Sequence, residues 1–162
     1  MESLDTLAVR RARVLALARM FVGVLFLATW IENLSKGLYG TRKYADFVQG
    51  YADTASVPGM RRFIESVVVP HAALFSKGQM VVELVVMGLF LTAGFLTPLS
   101  GLVAAGFGLN LLLASRGSGD WWGTYGLLIA LCLVVAVTQS GRTWGVDAAL
   151  VRRRPRPRLP VY

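Results

Sequence analysis

The chain has very few of the side chains that bind metals or form disulfides, with one cysteine and one histidine in 162 residues. A single cysteine, Cys132, excludes an intramolecular disulfide, a CxxC redox pair and a cysteine metal cluster. The sequence also lacks a Gly-rich phosphate loop and the residue spacing typical of metal ligands. We therefore expect no metal, haem or nucleotide site, so any redox chemistry must use an organic carrier or another subunit.

Charged residues are scarce as well, at 16% of the chain, whereas 55% of the residues are apolar and the mean hydropathy is +0.57. Four apolar stretches lie at residues 14–31, 80–96, 99–115 and 121–138. Each approaches the roughly 20 residues that an α-helix needs to cross a bilayer. The sequence therefore predicts an all-α integral membrane protein built as a four-helix bundle.

The longest connection, residues 36–79, is expected to form the outer loop. Apolar residues recur at helical spacing within 43–51 and 59–69, which predicts two short helices that cap the outer side of the bundle. We assign residues 1–150 to the membrane domain. Residues 151–162 are basic and interrupted by prolines, so they are predicted to form an irregular cytoplasmic tail.

Basic residues cluster at both ends of the chain, and four crossings return the chain to its starting side. The positive-inside rule therefore places both termini in the cytoplasm. The net charge of +8 does not indicate nucleic acid binding, because the cations flank apolar segments, where anionic lipid headgroups are the expected partners. The clustered residues are Arg10, Arg11 and Arg13 before the first stretch, and Arg142, Arg152, Arg153, Arg154, Arg156 and Arg158 after the last.

Glu83 is an ionisable residue within the second apolar stretch, and the helical period places it on one face with Gln79. A carboxyl group at that depth is costly unless it is protonated or paired, so such residues are commonly functional. A structural ion pair with Lys36, Lys77 or Arg116 is the competing interpretation. The sequence leaves both interpretations open.

Several aromatic and amide side chains fall near the same, outer leaflet once the topology is fixed. They would line an apolar slot beside Glu83, but anchoring at the membrane interface is the more common role of such aromatic rings. For the amide, a hydrogen bond between helices is the simpler interpretation. These candidates for ligand binding are Trp30, Asn110, Trp121 and Tyr125.

Arg19 shares one face of the first helix with Trp30 and Asn33, because their spacing follows the helical period. It lies towards the opposite leaflet from Glu83. We expect it to snorkel to the inner headgroups or to pair with Asp147, if the segment after the last helix folds back.

Three short motifs resemble segments of the DoxX/DoxD family of small four-helix membrane proteins. The first is WIENLSKGLY at 30–39, the second is Gly88, Gly94 and Thr97-Pro98 after Glu83, and the third is GRTWGVD at 141–147. The resemblance extends over residues 19–150. The candidates for a structural or positioning role are Arg19 and five residues of these motifs, which are Glu32, Asn33, Lys36, Arg142 and Asp147.

The resemblance is closest to DoxD-like small subunits of thiosulfate:quinone oxidoreductase. It implies a subunit of a redox complex in the bacterial plasma membrane that passes electrons from a reduced sulfur compound to quinone, beside a partner redox subunit. In that hypothesis Glu83 is the catalytic residue that exchanges the quinol proton. The alternative hypothesis is a noncatalytic assembly or anchoring subunit for a partner oxidoreductase. Both hypotheses leave homo-oligomerisation open.

Overall fold

A computed structural model describes residues 4–116 and 122–153, and within them the chain forms helices and no strand. The prediction of an all-α fold is confirmed. Two π-helical stretches occur: Ile64–Val68 continues α3, and Val82–Phe90 joins α4 to α5. The helices are α1 (Leu4–Ser35), α2 (Thr41–Thr54), α3 (Pro58–Phe63), α4 (Ala72–Val81), α5 (Leu91–Ala93), α6 (Thr97–Ala114), α7 (Trp122–Val137) and α8 (Val146–Arg153).

Among residues 4–116 and 122–153, three helices are long and apolar enough to cross a membrane. They are α1, α6 and the continuous Ala72–Ala93 helix, which consists of α4, the second π-helical stretch and α5. The helix α7 is also apolar but shorter, with 16 residues. Both α1 and the Ala72–Ala93 helix begin well before the predicted apolar stretches, because backbone hydrogen bonding continues the helix through polar residues that hydropathy does not include.

Small residues bring the long helices into close contact. A Cβ atom on Gly23 of α1 would lie 2.5 Å from the backbone nitrogen of Thr92, and one on Gly88 would lie 2.5 Å from Leu27 Cδ2. Such close approach is typical of packing between membrane helices. The central apolar core comprises Val22, Phe26, Met87, Leu91, Ala104, Ala105, Cys132 and Val135.

The two short helices predicted in the long connection are present as α2 and as α3 with its π-helical continuation. They form an apolar cluster of their own with the start of α4, and both also contact α6. The buried members of this cluster are Tyr44, Val48, Ala52, Ile64, Val68 and Ala72.

The segment after α7 folds back against the bundle. A 3₁₀ turn, Ser140–Arg142, contacts α1, and α8 follows it. Residues 151–153 belong to α8, although the sequence assigned them to the irregular tail. The rest of that tail, 154–162, lies outside the described residues. The fold-back brings the third sequence motif to the connection between α5 and α6.

Candidate functional site

Glu83 is 1% exposed and lies at the beginning of the second π-helical stretch. Its Oε2 accepts hydrogen bonds from Asn33 Nδ2 at 3.2 Å and from the Tyr39 hydroxyl, and its Oε1 accepts one from Gln79 Nε2 at 2.8 Å. Three uncharged donors therefore satisfy both carboxyl oxygens. Helical segments with π-type hydrogen bonding are often found at functional sites.

The network continues from Glu83 to α2, because the Tyr44 hydroxyl donates to Gln79 Oε1 at 2.9 Å. Burial, with a contribution from the charge of Glu83, raises the pKa of Tyr44 to about 12. Burial also raises the pKa of Tyr39, and the hydrogen bond to Glu83 and its charge add to that effect. Both phenols therefore remain protonated at neutral pH and can act as hydrogen-bond donors.

The ion pair considered for Glu83 is not formed. Lys36 instead pairs with Glu32, one helical turn before it, and both side chains are exposed. Lys77 and Arg116 are exposed as well, and no salt bridge reaches Glu83 from any residue in 4–116 or 122–153. The ion-pair interpretation is therefore wrong, since a favourable local pair at the end of α1 already uses the ammonium group of Lys36.

A cavity of about 510 Å³ lies beside this network, between α2, α3 with its π-helical continuation, α4 and α6. Its wall is mainly apolar and aromatic, and Tyr44, Tyr51, Gln79 and Asn110 contribute the polar side chains. Leu74 at its edge is 71% exposed, so the cavity opens at an apolar surface. The apolar lining residues are Phe47, Val48, Phe63, Ile64, Val68, Leu74, Phe75, Gly78, Val82, Phe107, Leu111 and Ala114.

Glu83 does not line the cavity, because Gln79 and Tyr44 stand between its carboxyl group and the cavity space. Both residues belong to the wall and to the hydrogen-bonded network. The sequence placed Gln79 near Glu83 by helical spacing, but it gave no indication that Tyr44 of the long connection would reach them. The sequence also did not predict Tyr39 as a partner of Glu83, although Tyr39 is the last residue of the first sequence motif.

The four candidates for ligand binding occupy different places. Asn110 lines the cavity. Trp30 is half-buried on α1 and its indole Nε1 finds no acceptor in the described part of the chain, but it is not in the cavity wall. Tyr125 is half-buried in α7 and also lies outside the wall, and Trp121 falls outside the described residues.

Arg19 lies in a second polar cluster, about 21 Å from Asn33 along α1 at 1.5 Å per residue. It is fully buried, so the snorkelling interpretation is wrong. Its Nη2 donates to the carbonyl oxygen of Trp144 at 3.5 Å, while Nε and Nη1 have no partner within residues 4–116 and 122–153. The guanidinium packs directly against Gly94 and Gly145.

Asp147 caps the first turn of α6. Its Oδ1 accepts the backbone N–H of Leu96 at 2.9 Å, its Oδ2 accepts that of Thr97 at 3.0 Å, and its own N–H donates to the Gly94 carbonyl at 2.9 Å. No salt bridge joins it to Arg19, because both oxygens are directed at the helix terminus. The expected ion pair is thus replaced by a helix cap. Arg142, in the preceding turn, is exposed.

Replacing Asp147 with alanine is expected to lower the free energy of unfolding by about 1–2 kcal/mol, because two backbone donors of α6 lose their acceptor. Thermal unfolding of the detergent-purified protein would measure the loss. Asp46→Ala is the matched control, since Asp46 is exposed on α2. Equal melting temperatures for the two variants would contradict the capping role.

The family model described as "TQO small subunit DoxD" matches residues 14–157. The chain belongs to the DoxD family. The matched range contains both polar clusters and the cavity, and the three long apolar helices agree with a membrane protein. A DoxD protein is by its description a small subunit, which is consistent with a partner subunit. No curated protein and no solved structure gives a significant match to this DoxD chain.

Proposed function

We propose that this chain is the quinone-holding membrane subunit of a complex that oxidises a reduced sulfur compound, with thiosulfate as the donor indicated by the family description. One observation carries the proposal: Tyr44 and Gln79 are both part of the cavity wall and hydrogen-bonded to each other, and Gln79 is bonded to buried Glu83. An apolar cavity with a few convergent polar groups is the usual form of a small-molecule site.

The cavity has the chemistry that a quinone ring requires. Its volume of about 510 Å³ lies within the range of small-molecule pockets, and aromatic side chains supply flat apolar walls. Tyr44, Gln79 and Asn110 supply hydrogen-bonding groups for the ring oxygens. The apolar opening beside exposed Leu74 suits a ligand that arrives through the hydrocarbon of the membrane.

In this proposal Glu83 acts on the ligand through Gln79 and Tyr44 and does not touch the ring. Exchange of a proton between Glu83 and the ligand, the role that the sequence indicated, would therefore require one of these two side chains to move or to relay it. Electrons would come from the partner subunit, since this chain has one cysteine and one histidine, the residues that most often bind redox metals in proteins.

The proposal includes a four-crossing arrangement in which α7 is the fourth membrane helix, while α2 and α3 cover the outer end of a four-helix bundle. Both termini then lie in the cytoplasm, where the basic residues near Arg10 and Arg152 meet anionic lipid headgroups. Glu83 and the cavity lie towards the outer leaflet, and Arg19 lies towards the inner one.

A substitution that fills the cavity should abolish quinone binding. Gly78 lines the cavity, and a Cβ atom there would meet nothing within 4 Å, so the helix accepts a side chain at this position and Gly78→Phe adds a ring at the cavity wall. The control is Gly106→Phe, at an exposed position of α6 that also has open space but does not line the cavity. Thermal unfolding would be measured with and without tetramethyl-1,4-benzoquinone, a membrane-soluble quinone.

Wild type and Gly106→Phe should be stabilised by the quinone, by about 2.7 kcal/mol at a concentration of 100 times Kd, and Gly78→Phe should show no shift. Thiosulfate-dependent quinone reduction in membranes holding the assembled complex should follow the same order. Equal stabilisation of Gly78→Phe and Gly106→Phe would exclude the cavity. The absence of any shift in wild type would favour the assembly-subunit hypothesis and direct attention to co-purifying partners.

A further inference from the structure

The hydrogen bonds between Glu83 and the cavity all run in one direction. Gln79 donates from Nε2 to Glu83, so its Oε1 faces Tyr44 and accepts the proton of the Tyr44 hydroxyl. The one proton on that hydroxyl is thereby used. A cavity ligand near Tyr44 meets an oxygen that can accept a hydrogen bond but has no proton left to donate.

This direction depends on the charge of Glu83. An ionised carboxylate only accepts hydrogen bonds, whereas a protonated carboxyl group also donates one. Protonation of Glu83 on Oε1 would direct a donor at Gln79, and the amide would then turn so that its Oε1 faces Glu83 and its Nε2 faces Tyr44. The Tyr44 hydroxyl would accept from that amide, and its own proton would be free for a cavity ligand.

We propose that Glu83, Gln79 and Tyr44 form a reversible hydrogen-bonded chain that matches the cavity to the redox state of its ligand. With Glu83 ionised, Tyr44 accepts a hydrogen bond from the O–H of a hydroquinone. With Glu83 protonated, Tyr44 donates to the carbonyl oxygen of a quinone. The inference rests on the proposed function and extends it, since it assigns the discrimination between oxidised and reduced ligand to three residues. No proton needs to cross the Gln79 amide, because only the hydrogen bonds reverse.

Few other titratable groups can produce such a switch. Tyr39 and Tyr44 face Glu83, and burial keeps both phenols protonated, with the pKa of Tyr44 raised to about 12. Glu32 near the end of α1 and Lys36 just after it are exposed and paired with each other. The sequence of α6, which contributes to the opposite cavity wall, contains no ionisable side chain. Glu83 is thus the group in this network whose protonation can change the direction of the chain.

The test compares binding of tetramethyl-1,4-benzoquinone and its hydroquinone, under anaerobic conditions, from about pH 3 to about pH 9, a range that brackets ordinary carboxyl and histidine titration. In wild type the ratio of the two affinities should shift towards the hydroquinone as pH rises, by about tenfold, the factor expected for one net hydrogen bond. The dimethyl ether of the hydroquinone can accept hydrogen bonds but cannot donate them, so its affinity should not increase at high pH.

Two variants separate the effect of the hydrogen-bonded chain of Glu83, Gln79 and Tyr44 from the effect of the cavity itself. Glu83→Gln retains a donor towards Gln79 at every pH. It should therefore bind the quinone, and its ratio of quinone affinity to hydroquinone affinity should not change with pH. Asn110→Leu removes a polar group of the cavity that is not part of the hydrogen-bonded chain. It should weaken the binding of both ligands, while the ratio of their affinities should still depend on pH. Both variants would first be compared with wild type by thermal unfolding, and affinities would be measured only on folded protein.

The outcomes distinguish failure of the switch from failure of the quinone site. Binding of both ligands with the same ratio at every pH in wild type would overturn the switch and leave the quinone site standing. A ratio in Glu83→Gln that still follows pH as in wild type would also overturn it, because another group would then be titrating. Failure of both ligands to bind wild type would overturn the switch together with the proposed function.

Discussion

Replacing Gly94 with alanine should lower the free energy of unfolding by about 3 kcal/mol, from strain at a left-handed φ of 68° together with overpacking. The added Cβ would overlap Nη1 of buried Arg19 and would lie 2.8 Å from the Gly145 Cα. Neither neighbour can move freely, because one is an enclosed guanidinium and the other is backbone. Thermal and denaturant unfolding in detergent would measure the loss.

Gly37→Ala is a matched control for this prediction. Gly37 has nearly the same backbone conformation, with φ of 66°, but its added Cβ would approach only the side chain of exposed Lys43, at 3.2 Å from Nζ. That side chain can move away, so only the backbone cost of about 1–2 kcal/mol should remain. Equal losses in the two variants would show that the contact with Arg19 adds nothing to the penalty at Gly94.

Replacing Glu83 with leucine should cost at least about 3 kcal/mol, because an unsatisfied buried donor costs roughly 1–3 kcal/mol and three donors lose their acceptor. These donors are the side chains of Asn33, Tyr39 and Gln79. The leucine side chain is apolar and, although one bond shorter, not smaller in volume, so the loss would reflect hydrogen bonding more than volume. Unfolding in detergent at neutral pH would measure it.

Glu83→Gln is the control for this second prediction, since its amide oxygen still accepts from Asn33 and Tyr39 and its shape is nearly that of the wild-type side chain. We expect it to lose less than about 1.5 kcal/mol, the net value of one hydrogen bond. If the leucine and glutamine variants were equally stable, the network would be a consequence of the fold and would not stabilise it.

The site shows what helical spacing can predict and what it cannot. The period of α1 correctly placed Arg19 and Asn33 on a face that the structure buries fully or in part, and the period of the second apolar stretch placed Gln79 beside Glu83. Tyr44 comes from α2, and its approach depends on how α2 packs against α4, which no local pattern specifies. The sequence therefore revealed the carboxyl group and one of its partners but not the link to the cavity.

The two ion pairs considered from the sequence, one at Glu83 and one at Asp147, are absent because a closer partner was already present. Lys36, which follows the end of α1, has Glu32 four residues before it. Asp147 has two backbone donors at the start of α6, which bind both of its oxygens. Charge complementarity over a long sequence separation is a weak guide when local or helix-terminal partners compete for the same group.

The close contacts of Gly23 and Gly88 make the part of the Glu83 network on α1 and the Ala72–Ala93 helix more rigid than the part on α2. These glycines hold α1 and the Ala72–Ala93 helix nearly backbone to backbone, so Asn33 and Glu83 are carried on a rigid pair of helices. Tyr44 is carried on α2, a helix of 14 residues that packs through its side chains. Adjustment of the site to ligands of different size should therefore occur by displacement of α2, with the carboxyl group as the fixed reference point.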